Sequence, residues 1–151
     1  YADKGRPSDN PLILHIADME QFYPLIKTDN AKIIARAEAL ADVFWPGPLT
    51  MILPKADNIP YETTGGLDTV AIRMPSHLVA RALLQECKMP IAAPSANLSG
   101  RPSPTSASHV IEDMNGRIEM IIDGGDVGIG VESTIIDLTG EVPMLSSPSA
   151  L

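Results

Sequence analysis

Proline and glycine interrupt this chain so often that its helices and strands must be short. The 151 residues include 14 prolines and 11 glycines. Proline removes a backbone donor and glycine favours turns, so both tend to end regular structure. A bundle of long helices is therefore disfavoured. The length fits one domain with a hydrophobic core that needs no disulfide or metal ion to hold it together.

Apolar stretches between these breaks predict strands that alternate with helices. The predicted strands cover residues 12–16, 50–53, 69–74, 90–93, 118–123 and 134–138. The predicted helices run from Asp29 or Asn30 to Phe44, from Ser76 to Lys88, and from Ser106 to Met114. Some strand pairs have no helix between them, so we expect an α/β (α+β) fold with a twisted mixed sheet and flanking helices. Residues 1–151 should form one domain, and the tail after residue 139 should be turn-like.

The charge balance argues against a broad nucleic-acid-binding surface. Lysine and arginine total 11, aspartate and glutamate total 19, and the formal net charge is -8. An acidic chain repels phosphate overall, although a few cations can still gather in one cleft. The single cysteine, Cys87, permits no internal disulfide and is predicted to pack on a helix. No basic and apolar leader or membrane-length apolar run is present, which predicts a cytoplasmic protein without a membrane partner.

Two short polar motifs are candidates for anion binding. Lys4 and Arg6 flank a glycine, and in extended backbone they would point to one face and grip a phosphate, carboxylate or carbamate. Ser95 and Asn97 follow a short predicted strand with the same spacing, where sheet ligands commonly bind. Each motif also fits an ordinary polar turn on the surface.

Other polar residues are weaker candidates. His15 lies inside a predicted strand close to the cationic pair, and Arg73 is the only charge in an apolar strand. Each fits either a binding site or a structural position. The glycine-rich stretch before Ser133 and Thr134 matches neither standard nucleotide-binding fingerprint. The histidines lack metal-ligand spacing, so no metal site is predicted.

Taken in order, six motifs closely resemble the YrdC-like family, the threonylcarbamoyl-AMP synthases. They are KGRPSDNPL, FWPGPLT, AIRMPSH, APSANLSGRPSPT, IDGG and GVESTIIDL, and they cover Lys4 to about Leu138. The resemblance implies a sheet around a large cationic cleft. It also implies synthesis of threonylcarbamoyl-AMP from L-threonine, bicarbonate (as CO2) and ATP, with release of pyrophosphate. A downstream threonylcarbamoyl transferase would then modify tRNA, so tRNA would be only an indirect partner.

The resemblance also implies roles for individual residues. The catalytic positions, which face the nucleotide and the carbamate, would be Lys4, Arg6, Ser95 and Asn97. The substrate-binding positions would be His15, Thr50, Arg73, Ser133 and Thr134. Among them, His15 would contact threonine and Arg73 would meet a carboxylate or a phosphate. Mg²⁺ would accompany ATP and neutralise its phosphates.

The chain departs from the family pattern in three ways. It begins after the place of a PTETVYGLG-like segment that helps to hold threonine, and it lacks the extra C-terminal domain of longer relatives. Ser147 and Ser149 stand where an LRPGAI-like segment has arginine and glycine, so we expect weaker ATP binding or a non-native terminus. Three alternatives stay open: a YrdC-like domain that uses carbamoyl phosphate, an RNA-binding module, and an inactive paralogue.

Overall fold

The computed structural model describes residues 2–127 and 134–146. Six strands are present: β1 (Ile13–His15), β2 (Thr50–Pro54), β3 (Thr69–Arg73), β4 (Ile91–Ala93), β5 (Ile135–Asp137) and β6 (Met144–Ser146). Five α-helices accompany them: α1 (Met19–Phe22), α2 (Ala31–Phe44), α3 (Tyr61–Thr64), α4 (Leu78–Cys87) and α5 (Ala107–Met114). Short 3-10 turns occur at Ala2–Lys4 and Tyr23–Leu25.

The strands form one sheet in the order β4-β1-β3-β2-β5-β6. The pairs β1–β3 and β2–β5 are parallel, whereas β1–β4, β2–β3 and β5–β6 are antiparallel. The predicted mixed sheet with flanking helices is therefore confirmed. Among the described residues, no helix is both long enough and apolar enough to cross a membrane.

The hydrophobic core lies on one face of the sheet. Alternate residues of three adjacent strands point into it and are buried, namely Leu14, Met51, Leu53, Val70 and Ile72. Helix α2 covers them with its own buried stripe of Ile33, Ala37 and Ala41. This helix begins where Asn30 accepts a hydrogen bond from the Lys32 N–H, as a helix N-cap does. Because the core occupies one face, the strand residues between the core positions are left for the opposite face.

Several predicted elements are wrong, and the two errors in strands depend on pairing between distant parts of the chain. Residues 118–123 form no strand, and Met120 is 75% exposed, because no other strand pairs with this apolar run. The tail was predicted to be turn-like, but β6 pairs with β5. Helices α1 and α3 were not predicted. Helix α4 begins later than expected, because His77 rather than Ser76 accepts the capping hydrogen bond from Val79 N–H.

Candidate functional site

Three of the predicted site residues lie side by side across the sheet. His15 of β1 is paired with Arg73 of β3, and Arg73 is paired with Thr50 of β2. Directly paired residues point to the same face, and adjacent strands are about 4.8 Å apart. The chain neighbours of these residues, such as Ile72 and Met51, point into the core. The three side chains therefore form a row on the face opposite α2.

A second group forms where the N-terminal turn meets the loop after β4. The Lys4 ammonium donates hydrogen bonds to the backbone carbonyls of Ser95 and Asn97. In return, the Ser99 N–H donates to the Lys4 carbonyl at 3.0 Å. The two motifs that the sequence analysis singled out as anion binders are thus joined to each other by hydrogen bonds.

The backbone of the cationic pair differs from the prediction. Lys4 ends a 3-10 turn, and Gly5 has a φ of +63°, so Lys4 and Arg6 do not share a face of an extended chain. Left-handed backbone favours glycine, which explains the residue between them. The two cations nevertheless interact with each other. Burial is the largest cause that lowers the pKa of Lys4, and the positive charge of Arg6 is the second.

Asn97 offers an unused oxygen inside this loop. Its Nδ2 donates to the carbonyls of Leu98 at 3.1 Å and Arg101 at 2.6 Å. Its Oδ1 is buried and has no hydrogen-bond partner within residues 2–127 and 134–146. A buried acceptor without a partner is costly unless something binds it. An amide oxygen accepts from an N–H or O–H group or ligates a cation, so it does not bind an anion directly. Ser95, in contrast, is exposed.

The two groups of residues are close neighbours. Strand β4 pairs with β1 in the register that places Ile91 beside His15 and Ala93 beside Ile13. The loop that carries Ser95 begins directly after Ala93. It therefore starts two residues along the sheet from the His15 row, about 7 Å away at the usual rise per residue. The start of this loop and the row are therefore neighbours on the sheet.

Three cations of this region form no direct ion pair among the described residues, although the Asp113 carboxylate acts on Lys4 from a distance. In residues 2–127 and 134–146, the ion pairs are Lys27–Asp57 and Arg101–Asp113. Lys4, Arg6 and Arg73 belong to neither of them. The Nε atoms of Arg6 and Arg73 are buried without hydrogen-bond partners, and burial lowers the pKa of Arg73. Buried cations are stable when an anion pairs with them, which indicates that this face binds an anionic ligand.

His15 is arranged to accept a hydrogen bond from a ligand. Its Nδ1 lies 3.3 Å from the carbonyl oxygen of Ile91. Because a carbonyl only accepts, Nδ1 carries the proton and Nε2 of the neutral ring is left as an acceptor. Burial, and to a lesser extent the Arg73 charge, lower the pKa of His15. The ring is therefore neutral at pH 7.

This shift predicts a stability change with pH. The folded pKa of His15 is below the unfolded value of 6.5, so its contribution to stability is complete above pH 6.5. It is lost as the pH falls below 6.5 through the folded pKa. We expect His15→Gln to flatten the decline of the free energy of unfolding over this range, measured by urea titration. His109→Gln, at an exposed position, is the matched control. An equal effect of both variants would contradict the assignment.

A cavity of about 200 Å³ opens on the same face of the sheet as the row. Ala71 and Ile52 belong to its lining, and they lie two residues from Arg73 and Thr50 on their strands. The polar side chains of its wall are Thr64, Thr69, Asp137 and Ser146. None of the described predicted site residues belongs to the lining of this cavity.

The remaining predicted residues are placed as follows. Thr134 is exposed, and its carbonyl accepts a hydrogen bond from the Thr50 N–H at 2.8 Å. Ser133, Ser147 and Ser149 lie outside the described residues. No group of three or more histidine, cysteine, aspartate or glutamate side chains in the described ranges could hold a metal ion. The sequence analysis missed Asp113, which contacts the Asn97 loop from α5, since it lies outside every motif.

Comparison with known proteins gives a consistent picture. The profile of a protein family named Sua5/YciO/YrdC, described as "Telomere recombination", matches residues 1–146. The chain is 60% identical over 151 residues to a protein named threonylcarbamoyl-AMP synthase from Pyrococcus abyssi, covering all of this chain and 43% of that one. A protein of the same name from Bacillus subtilis is 54% identical over 152 residues and is also covered to 43%. The chain thus spans less than half the length of these relatives.

A solved structure is also similar to this chain. It is the crystal structure of P. abyssi Sua5 complexed with L-threonine, with a TM-score of 0.89 and 59% sequence identity. The match covers 95% of this chain and 41% of that one. The fold of this chain is therefore shared with that protein.

Proposed function

Because the chain belongs to the Sua5/YciO/YrdC family, we propose that its site makes threonylcarbamoyl-AMP from L-threonine, bicarbonate (as CO2) and ATP, with release of pyrophosphate. The observation that carries the proposal is a set of cations that form no ion pair among the described residues, Lys4, Arg6 and Arg73, together with the unpartnered amide oxygen of Asn97. The names of the two relatives from P. abyssi and B. subtilis support the same reaction. The carbamate and the nucleotide are both anionic, and this site has the charge to bind them.

The reaction brings two anions together. The threonine nitrogen adds to CO2 and loses a proton, which gives a carbamate. A carbamate oxygen then forms a bond to the α-phosphorus of ATP, while the bond to the bridging oxygen breaks and pyrophosphate leaves with the electron pair. Charge neutralisation and alignment are the main tasks of the protein in such a step. Lys4 and Arg6 would supply the cations, with Ser95 and Asn97 beside them.

The sheet row would hold the amino acid. His15 Nε2 can accept a hydrogen bond from the threonine hydroxyl, and Arg73 can pair with the threonine carboxylate. Thr50 is buried next to Arg73, and Thr134 follows at the start of β5. The bound L-threonine in the similar P. abyssi structure supports threonine as the amino-acid substrate. Ser133, by its sequence position next to Thr134, belongs to the same proposed binding set.

Mg²⁺ fits this site only as a companion of ATP. The described residues hold no cluster of acidic or histidine ligands, and Asn97 Oδ1 is a buried oxygen without a partner among them. Mg²⁺ commonly binds through substrate phosphates, with few protein ligands. When bound, it would neutralise charge on the phosphates. The product would pass to a separate transferase that modifies tRNA, so this protein itself would not need to bind tRNA.

The proposed function is tested by measuring pyrophosphate release from Mg·ATP with L-threonine and bicarbonate added singly or together. We expect release only when both are present, and threonylcarbamoyl-AMP detected by mass spectrometry. Carbamoyl phosphate in place of threonine and bicarbonate is the comparison arm. Release with carbamoyl phosphate alone would identify a carbamoyl transferase instead. If neither substrate set supports release, the proposed synthesis by this chain is wrong.

A further inference from the structure

Asp113 of α5 lies outside every motif discussed so far, yet it is one of the few buried polar side chains of the described residues. It is 8% exposed, and Asn97 is another member of that small set. Acidic side chains are rarely buried unless they are paired. A buried acid close to the proposed site therefore needs an explanation.

Both carboxylate oxygens of Asp113 are used by the loop after β4. Oδ2 accepts a hydrogen bond from the Leu98 N–H at 3.0 Å. Oδ1 accepts from Arg101 Nη1 at 2.5 Å. The Leu98 N–H, outweighing burial, holds the pKa of the Asp113 carboxyl below its usual range, and Arg101 and Lys4 lower it further. The carboxylate is therefore ionised at neutral pH.

The two residues that Asp113 holds are the ones that orient Asn97. The carbonyls of Leu98 and Arg101 accept the two hydrogen bonds from Asn97 Nδ2. Both amide hydrogens are thereby used, and Oδ1 is left free in a fixed direction. Asp113 thus binds the Leu98 backbone and the Arg101 side chain, and the carbonyls of the same two residues bind the Asn97 amide.

The end of α5 also contacts the other half of the site. Arg117, in the turn after the helix, donates to the carbonyl of Asp3 at 3.1 Å, next to Lys4. The Ser99 N–H of the Asn97 loop donates to the Lys4 carbonyl. This end of α5 therefore contacts both the N-terminal turn and the loop after β4, which are also bonded to each other.

We propose that Asp113 is a positioning residue, which fixes the Asn97 loop so that Asn97 Oδ1 and Lys4 are held ready for Mg·ATP. It touches neither substrate nor reacting atoms and acts through Leu98 and Arg101. The kinetic part of this proposal rests on the proposed function, whereas the loop geometry and Mg·ATP binding do not. Displacing a contact group by about 1 Å can cost roughly 100-fold in rate.

The test compares Asp113→Asn with Glu112→Gln in the full chain. Both changes remove one negative charge from adjacent positions of α5, but Glu112 is exposed. The asparagine oxygen can still accept a hydrogen bond from the Leu98 N–H. Its NH2 group would face the Arg101 guanidinium, and because both groups are donors, that hydrogen bond is lost. We expect faster hydrogen exchange in residues 97–101 and about 10-fold weaker Mg·ATP binding by calorimetry. The kcat/KM for pyrophosphate release should fall 10- to 100-fold, while Glu112→Gln matches the wild type in all three measurements.

A second variant covers the case in which Asp113→Asn fails to fold. Arg101→Gln keeps the Leu98 contact and removes the ion pair at a half-exposed side chain, so the fold should tolerate it. It should show the same changes to a smaller extent. Unchanged exchange and Mg·ATP affinity in both variants, or faster exchange without weaker binding, would overturn the positioning role. If the wild type releases no threonine-dependent pyrophosphate, the proposed function fails, while the exchange and binding measurements still decide the role of Asp113.

Discussion

Lys4→Ala should lower threonine-dependent pyrophosphate release by about 100- to 1000-fold, the usual cost of removing one group that stabilises transition-state charge. The Lys4 ammonium holds the carbonyls of Ser95 and Asn97 and stands beside Arg6. Alanine removes the charge that would face the phosphates and also releases the loop. Because Lys4 contributes nothing to the buried apolar core, the free energy of unfolding should change far less than the activity.

Lys32→Ala provides the matched control for this variant. Lys32 is exposed near the start of α2, on the opposite side of the sheet from the site, and alanine is well tolerated in helices. The control should keep wild-type kcat/KM and wild-type Mg·ATP affinity. Steady-state kinetics and urea unfolding are measured on both variants. Wild-type activity in Lys4→Ala, or an equal loss in Lys32→Ala, would show that Lys4 does not act on the phosphates.

The local parts of the fold were predictable from the sequence. The apolar stretches around β1, β2 and β3 lie between clear breaks, and Asn30 is a recognisable N-cap for α2. The errors in strands depend on distant partners. Residues 118–123 have the composition of a strand but pair with no strand of the described residues, whereas the turn-rich tail contains β6 because β5 pairs with it. Composition describes a segment, and pairing depends on the rest of the chain.

The same distinction holds within the candidate site. The motifs around Lys4 and Asn97 could be singled out by their spacing and by their place in the ordered set of family motifs, although each alone also fits an ordinary turn. The alignment of His15, Arg73 and Thr50 could not be predicted, because it follows from the register of three strands that are far apart in sequence. Asp113 could not be predicted either, since its carboxylate becomes meaningful only once α5 packs beside the loop after β4.

A net charge of -8 does not prevent a few cations from gathering at one site. Lys27 pairs with Asp57, and Tyr23 donates to Glu38, both at exposed positions. Lys4, Arg6 and Arg73 have no such partners. Low surrounding dielectric strengthens their attraction for a bound anion. The acidic exterior disfavours extended polyanions, while this site can still select a small one.

Arg73→Met should have opposite effects on stability and on activity. Arg73 has a buried Nε without a partner and a guanidinium without a carboxylate, and both features cost folding free energy. Burying an unpaired polar group costs about 1–3 kcal/mol, and replacing buried charge by an apolar side chain of similar size is often stabilising. Arg73 is half-buried, so we expect the lower part of this range, about 1 kcal/mol of added stability. Threonine-dependent pyrophosphate release should fall at least 100-fold, because the proposed contact with the substrate carboxylate is lost.

The control is Arg81→Met, which also removes one positive charge but at a position on α4. Urea unfolding at pH 7 and calorimetric titration with L-threonine are measured on both variants. The expected pattern is a more stable Arg73→Met that no longer binds threonine, beside an Arg81→Met that binds it normally. A lower free energy of unfolding in Arg73→Met would mean that the guanidinium stabilises the row of side chains on the sheet. It would contradict the view that Arg73 is an unpaired cation that binds the substrate anion. A gain in stability with lost binding would instead show that the fold tolerates an unfavourable cation at this position because the substrate supplies the missing charge.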